Sequence, residues 1–209
     1  MKLKWFTAIT ATLLILSVSG TGKADVDLGL SIRDGEVRSF YLAVGDYYNV
    51  PDRTLVVVRE RNIPDNEVPV VFFLAQQARV SPDVIINLRL GGSSWMDITL
   101  RYGLGPQIFY VPLTVDPGPP YGKAYGYYKK HPRSKWGEIR LGDSDVVNLV
   151  NLKFISSHYG YSPEQVVKMR SDGKNFVSIN SEIKKNKGAS QNKAEKQNSK
   201  GKSKGKGKS

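Results

Sequence analysis

Three carboxylates are the side chains of this sequence that come nearest to acid–base chemistry. Asp97, Glu138 and Asp145 are candidate groups for a hydrolase, but they are scattered along the chain. Acid–base cleavage of a glycosidic bond needs two carboxyl groups flanking one bond. Asp143 and Asp145 precede an apolar segment, and acids at that place are typical of a helix N-terminus. We therefore predict no catalytic residue, and a hydrolase stays an alternative that requires these acids to meet in one cleft.

Cofactor and metal chemistry have less support in the sequence. The chain has no cysteine and only two histidines, His131 and His158. This excludes a cysteine nucleophile, a cysteine-ligated zinc ion and a multi-histidine metal centre. The sequence also lacks the short motifs of serine hydrolases, zinc proteases, P-loop proteins and dinucleotide-binding domains. His158 follows two serines near a predicted helix end, which favours a capping or surface imidazole over a general base. We predict no cofactor and no metal.

The Pro-, Gly- and Tyr-rich segment 115–142 carries the clearest binding signal, because aromatic and basic residues alternate in it. From Tyr121 to Arg140 there are six basic residues and one acid. Aromatic rings beside cations hold sugars, bases or anionic polymers through stacking and charge. The candidate aromatic platform is Tyr121, Tyr125, Tyr127 and Tyr128, and the candidate polyanion contacts are Lys123, Lys129, Lys130, Arg133 and Lys135. The alternative is a loop whose tyrosines cover apolar surface, with Trp136 as a packing anchor.

The charge of the chain is concentrated at its two ends. The 209 residues carry a formal net charge of +12. Residues 25–183 contain 18 basic and 18 acidic residues, whereas residues 184–209 contain ten lysines and one acid. The pI near 9.7 therefore does not indicate nucleic-acid binding by the central part as a whole.

The first 24 residues have the pattern of a cleaved signal peptide. Lys2 and Lys4 precede an apolar stretch over residues 5–18, and small or polar residues follow up to Ala24. The apolar run is shorter than the roughly 20 residues that span a bilayer, which disfavours a membrane anchor. No cysteine follows that could carry a lipid. We expect an exported protein, periplasmic or extracellular.

The last 26 residues, 184–209, predict a disordered Lys-rich tail. They contain no aromatic and no branched apolar residue, so they cannot bury enough surface to offset chain entropy. Candidate polyanion contacts in this tail are Lys200, Lys202, Lys204, Lys206 and Lys208. The tail either attracts an anionic lipid, polysaccharide or nucleic acid, or only keeps the protein soluble.

An internal repeat organises the elements between the two ends. The segment Ser81–Arg89 reappears 81 residues later as Ser162–Arg170, and a weaker copy, Val50–Arg59, lies 30 residues before the first. Each Ser-Pro pair suits the first positions of a helix, and Gly92 and Gly173 suit the left-handed residue after its end. The aligned arginines, Arg59, Arg89 and Arg170, either complement the last helical turn or form an anion site.

The predicted fold is mainly α: one domain over residues 25–183, built of short helical hairpins in two to three repeats. Apolar spacing predicts further helices over residues 65–77 and 145–159. A minor β element is expected from pairing of Val26–Ile32 with Ile108–Leu113. The repeat also resembles the first two helices of a DNA-binding helix-turn-helix. The export leader and the Gly/Pro break after Tyr102 disfavour that function, so nucleic acid is not a favoured partner.

Three stretches of the sequence resemble known proteins: residues 64–82, 91–98 and 120–127. They look like segments of a group of uncharacterised exported bacterial proteins, and the resemblance covers roughly residues 40–183. It implies export and a helical architecture, and it implies no activity. The Lys-rich tail is not part of it.

The sequence as a whole predicts an exported, non-enzymatic interaction or structural protein of the bacterial envelope. Its tail, and with it the Tyr/Lys segment, would contact an anionic polymer or a membrane surface. The alternatives are an envelope hydrolase and an extracellular nucleic-acid-binding protein. The partner itself is not predicted.

Overall fold

The computed structural model describes residues 35–187, and this part of the chain is mainly helical, without a strand. No helix among these residues has both the length and the apolar character that crossing a membrane requires. The α-helices are α1 (Gly35–Tyr48), α2 (Asp52–Glu60), α3 (Val68–Ala78), α4 (Pro82–Leu90), α5 (Trp95–Arg101), α6 (Gly122–Lys130), α7 (Asp143–Tyr159) and α8 (Pro163–Ser171), followed by α9 over residues 176–187. Short 3-10 helices lie at Asp65–Glu67, Pro106–Phe109 and Arg133–Glu138.

Left-handed residues end most of these helices, as the glycine positions predict. Gly92 and Gly173 have φ values of 90° and 85°, and Asn62 at the corresponding place of the weaker copy has 57°. A left-handed residue turns the chain out of a helix at little cost when it is Gly or Asn. Arg79 after α3 and Gly160 after α7 are also left-handed, again 81 residues apart. Helix boundaries thus recur at the predicted offsets, while the repeat as a superposable unit stays a prediction.

The core is built around α3 and α7, which pack against each other and against four further helices. α3 contacts α1 and α4, and α7 contacts α1, α5 and α8. Eight consecutive residues of α3, Val68 to Ala75, are buried, so this helix is covered on all sides. Helices that are apolar all round occupy the interior rather than the surface. Pro69 lies in the first turn of α3, where its missing N–H costs no helical hydrogen bond.

The predicted β element is wrong for its described half. Tyr110 is extended, but residues 110–113 form no strand and pair with no other segment of residues 35–187. Side chains bind this stretch instead: the Lys153 ammonium donates to the Ile108 carbonyl at 3.2 Å, and the Tyr125 hydroxyl donates to the Val111 carbonyl. Pro112 has no N–H for a ladder. The other half, Val26–Ile32, lies outside the described residues, as does the predicted signal peptide.

The predicted boundary between domain and tail also needs correction. Ile183 is buried, and α9 continues past it to residue 187. Lys185 lies 3.0 Å from a Glu36 carboxylate oxygen, and the Lys187 ammonium donates to the Tyr159 carbonyl at 2.7 Å. Residues 184–187 therefore belong to the helical body. Residues 188–209, with all five candidate tail contacts, lie outside the described part.

Two aromatic anchors should carry much of the stability. Trp95 is the first residue of α5, and Phe176 is the first residue of α9. Their side chains are 0% and 2% exposed. Replacing either with Ala is expected to lower the free energy of unfolding by about 3–5 kcal/mol, since each leaves a large cavity. Val84→Ala on the exposed face of α4 is the control and should change it by less than about 0.5 kcal/mol. Urea unfolding followed by circular dichroism measures the free energy of unfolding of each variant. An unchanged free energy of unfolding in Trp95→Ala would refute the anchor role.

Two shortened chains distinguish the stability contributed by the last turn of α9 from that contributed by residues 188–209. A chain ending at Lys187 should keep the melting temperature of the full chain, because the composition of residues 188–209 offers nothing to bury. A chain ending at Ile183 should melt lower, because it loses the contacts of Lys185 and Lys187. Equal melting of the two shortened chains would show that the last turn of α9 adds no stability.

Candidate functional site

The segment between α5 and α7 forms the candidate site. It runs through the 3-10 helix Pro106–Phe109, an extended stretch, helix α6 and the 3-10 helix Arg133–Glu138. α6 ends at Lys130 because His131 is extended before Pro132, and the residue before a proline is disfavoured in a helix. The chain therefore folds back, which brings the second 3-10 helix against the extended stretch.

The predicted tyrosine platform is largely buried. Tyr121, Tyr125 and Tyr128 are among the core residues, and only Tyr127 is partly exposed. The Tyr128 hydroxyl donates to the Pro106 carbonyl at 2.7 Å, as that of Tyr125 does to Val111. Burial raises the pKa of both phenols, so both remain protonated donors. Three of the four tyrosines thus hold the segment together rather than presenting an open platform.

An aromatic cavity of about 250 Å³ opens beside two of these tyrosines. Two of its lining rings, Tyr110 and Trp136, are in contact with each other, with centroids 4.6 Å apart and planes tilted by 52°, and the Tyr128 ring lies 4.9 Å from that of Trp136. The lining consists of Tyr110, Leu113, Val115, Asp116, Tyr125, Tyr128, Lys129 and Trp136. Such a wall of tilted rings offers both ring faces and ring edges to a planar or cyclic group.

Trp136 is held in this wall by its own polar edge. Its indole N–H donates to the carbonyls of His131 at 3.0 Å and Tyr128 at 3.2 Å. The Arg133 guanidinium lies 5.5 Å from the centre of its ring. The sequence predicted a packing anchor, and the partly buried Trp136 instead combines packing with a place in the cavity wall.

All five cations that the sequence singled out in this segment are exposed: Lys123, Lys129, Lys130, Arg133 and Lys135. Lys129 forms an ion pair with Asp116 at the cavity. Among residues 35–187, Lys123, Lys130 and Lys135 have no acidic partner within ion-pair distance. We name these five cations together with the aromatic cavity the aromatic–basic surface. Its positive charge is free to attract an anion over about 10 Å at 0.1 M salt.

Two of the three candidate hydrolase acids have structural roles. Asp97 accepts a hydrogen bond from the Ser94 backbone N–H, and Asp145 accepts one from Gly142, so both acids cap helices. Neither carboxylate lines the aromatic cavity, and Glu138 does not either. Residues 35–187 contain no group of three acidic or histidine side chains that could hold a metal ion. The imidazole of His158 packs among the rings of Tyr47, Phe154 and Tyr159, and burial lowers its pKa.

The sequence reasoning missed Tyr110, Leu113 and Val115, which line the cavity. Tyr110 and Leu113 were missed because they were assigned to a strand, where alternate side chains would have faced opposite sides. Val115 lies in the segment 115–142 but was not among its candidate residues. The proline at position 112 was the available signal, since it argues against a paired strand. Comparison of the chain with protein families, with curated proteins and with solved structures finds no match.

The contribution of the Tyr128 hydrogen bond to stability can be tested by removing the hydroxyl oxygen. Tyr128→Phe should lower the free energy of unfolding by about 1 kcal/mol, because it leaves the Pro106 carbonyl without that donor. Tyr127→Phe is the matched control, since the Tyr127 hydroxyl makes no hydrogen bond within residues 35–187. Denaturant unfolding of both variants is the measurement. Equal stability of the two would mean that the hydroxyl of Tyr128 does not hold the segment.

Proposed function

We propose that this protein is an exported, non-enzymatic binding or structural protein of the bacterial envelope that binds an anionic polymer through its aromatic–basic surface. The observation that carries the proposal is the coincidence of exposed, largely unpaired cations with an aromatic cavity on one short segment. The cations supply attraction to negative charge, and the rings supply stacking area for a sugar or other cyclic unit. The Lys-rich residues 188–209 would add non-specific attraction to the same polymer.

An acidic polysaccharide fits this surface better than a membrane does. Insertion into a lipid headgroup layer needs several apolar side chains on one exposed face. Within the segment 106–140, Val115 is the one large apolar residue that is well exposed, at 63%. A polymer of cyclic acidic units needs no such face, because its rings enter the cavity while its charges stay at the rim.

A non-enzymatic role is supported by the positions of the acids. Asp97 and Asp145 are engaged as helix caps, and the cavity contains a single carboxylate, Asp116, which is paired with Lys129. Hydrolysis by two carboxyl groups would require a second acid facing the same ligand.

The aromatic–basic surface can be tested with matched charge removals. In the full mature chain and in a chain ending at Lys187, we would replace Lys130, Arg133 and Lys135 with Gln. The control replaces Arg53, Arg79 and Arg101 with Gln; these arginines are also exposed but lie outside the segment. Heparin is the polysaccharide probe, and anionic phospholipid vesicles and single-stranded DNA are the comparison probes.

We expect the site variant of the shorter chain to bind heparin about tenfold more weakly at 0.1 M salt, and the control to lose much less. Three exposed charge contacts of about 0.5 kcal/mol each give this factor. Emission of Trp136 in a Trp95→Phe background should change on heparin binding, because Trp136 lines the cavity. Equal loss in both variants would show binding by overall charge, and preferred binding of vesicles or DNA would overturn the choice of polymer.

A further inference from the structure

The three arginines aligned by the repeat differ in how their charge is neutralised. Arg59 forms an ion pair with Asp65. Arg89 forms ion pairs with Glu67 at 2.9 Å and with Asp143 at 2.6 Å. Arg170 has no carboxylate within ion-pair distance among residues 35–187. A guanidinium cannot lose its proton, so its charge needs a partner or water.

One residue at the repeat offset of 81 accounts for one of the two carboxylate partners that Arg89 has and Arg170 does not have within residues 35–187. The residue that corresponds to Glu67 is Asn148. In the first copy, Arg89 holds Glu67 with two parallel bonds, Nε to Oε2 at 3.0 Å and Nη2 to Oε1 at 2.9 Å. In the second copy, Arg170 makes one long contact, Nε to the Asn148 Oδ1 at 3.4 Å. A neutral amide stands where the first copy has a carboxylate.

Apart from the Asp143 contacts of the first copy, the surroundings of the two arginines are alike. Arg89 donates through Nη1 to the Ser93 carbonyl, and Arg170 donates through Nη1 to the Lys174 carbonyl, each four residues on. Each guanidinium lies over the aromatic ring that begins the next helix, at 4.7 Å from Trp95 and 5.3 Å from Phe176. Arg170 is therefore held in position for a carboxylate that residues 35–187 do not supply.

A cavity of about 240 Å³ lies at this arginine. We propose that it binds the carboxylate of a small monoanion, with the Arg170 guanidinium as the binding group. The lining consists of Asp65, Asn66, Arg170, Asn175, Phe176 and Val177. Phe176 and Val177 provide apolar contact for the body of the ligand, so an aromatic or short aliphatic carboxylate fits best.

The charges around the cavity favour a monoanion over a phosphate. Asp65 lines the same cavity, but it accepts bonds from Arg59 and from the Tyr41 hydroxyl, and Arg59 matches its charge. No lysine lines the cavity. A phosphate carries nearly two negative charges at neutral pH and would meet one guanidinium beside one carboxylate. A carboxylate matches the fork geometry that Arg89 and Glu67 already display.

This site is independent of the aromatic–basic surface, because the two cavities share no lining residue. It rests on Arg170 and not on polymer binding. Failure of either proposal therefore leaves the other unaffected.

The test uses the full mature chain with benzoate as the probe and benzyl alcohol as its uncharged counterpart, followed by amide chemical shifts. Benzoate should give saturable shifts at Phe176 and Val177, and benzyl alcohol should not saturate in the same range. Arg170→Gln should weaken benzoate binding by about tenfold or more, because it removes a charge-assisted fork. Arg53→Gln, an exposed charge outside the cavity, should leave the affinity unchanged.

Asn148→Glu is the decisive variant, because it recreates the carboxylate of the first copy and keeps Arg170. It should abolish benzoate binding while retaining or raising the melting temperature. Absence of saturable shifts in the unaltered chain, or unchanged affinity in Arg170→Gln or in a folded Asn148→Glu, overturns the proposal. If Arg170→Gln does not fold, Arg170→Lys decides in its place: it keeps the charge without the fork and must bind more weakly.

Discussion

The bridge made by Arg89 is the interaction on which the arrangement of this protein depends. One side chain joins Glu67, directly before α3, to Asp143, the first residue of α7. The second oxygen of Asp143 accepts the backbone N–H of Trp95 at 2.8 Å, and the Trp95 ring lies beneath the guanidinium. The bridge thus sets the starts of α3, α5 and α7 relative to one another. Partly buried charges cost desolvation free energy unless they are paired. These helices must therefore pack in an arrangement that keeps Arg89 paired with its two carboxylates.

The aromatic–basic surface depends on α7 and α8, although none of its own residues belongs to these two helices. Three contacts attach the segment 106–121 to α7 and α8. Lys153 of α7 binds the Ile108 carbonyl, and Ser171 of α8 donates to the Pro119 carbonyl at 3.1 Å. Glu164 of α8 accepts from the N–H and hydroxyl of Thr114, and these bonds lower its pKa to about 2. The aromatic cavity is therefore formed on a surface that the two helices hold in place.

Helices were the most predictable part of the fold, because their signals are local. The Ser-Pro starts at residues 81 and 162, the proline in the first turn of α3 and the left-handed glycines were all read from neighbouring residues. The strand assigned to Ile108–Leu113 was wrong because an extended, apolar stretch does not specify its partner. Here tyrosine and lysine side chains, distant in sequence, bind its carbonyls. The domain boundary at residue 183 was misplaced because Lys185 and Lys187 find acceptors in α1 and α7.

The sequence by itself determined the helical class, the starts and ends of several helices, the neutral charge of the central part and the segment in which aromatic and basic residues gather. Each of these follows from composition or from contacts within a few residues. Only the tertiary structure decided that three of the tyrosines are buried and that Tyr110 and Trp136 line one cavity. It also decided that Arg170, among residues 35–187, has no carboxylate partner, whereas Arg89 has two. These depend on which side chains meet across helices, and burial and charge pairing between distant residues are properties of the packed chain alone.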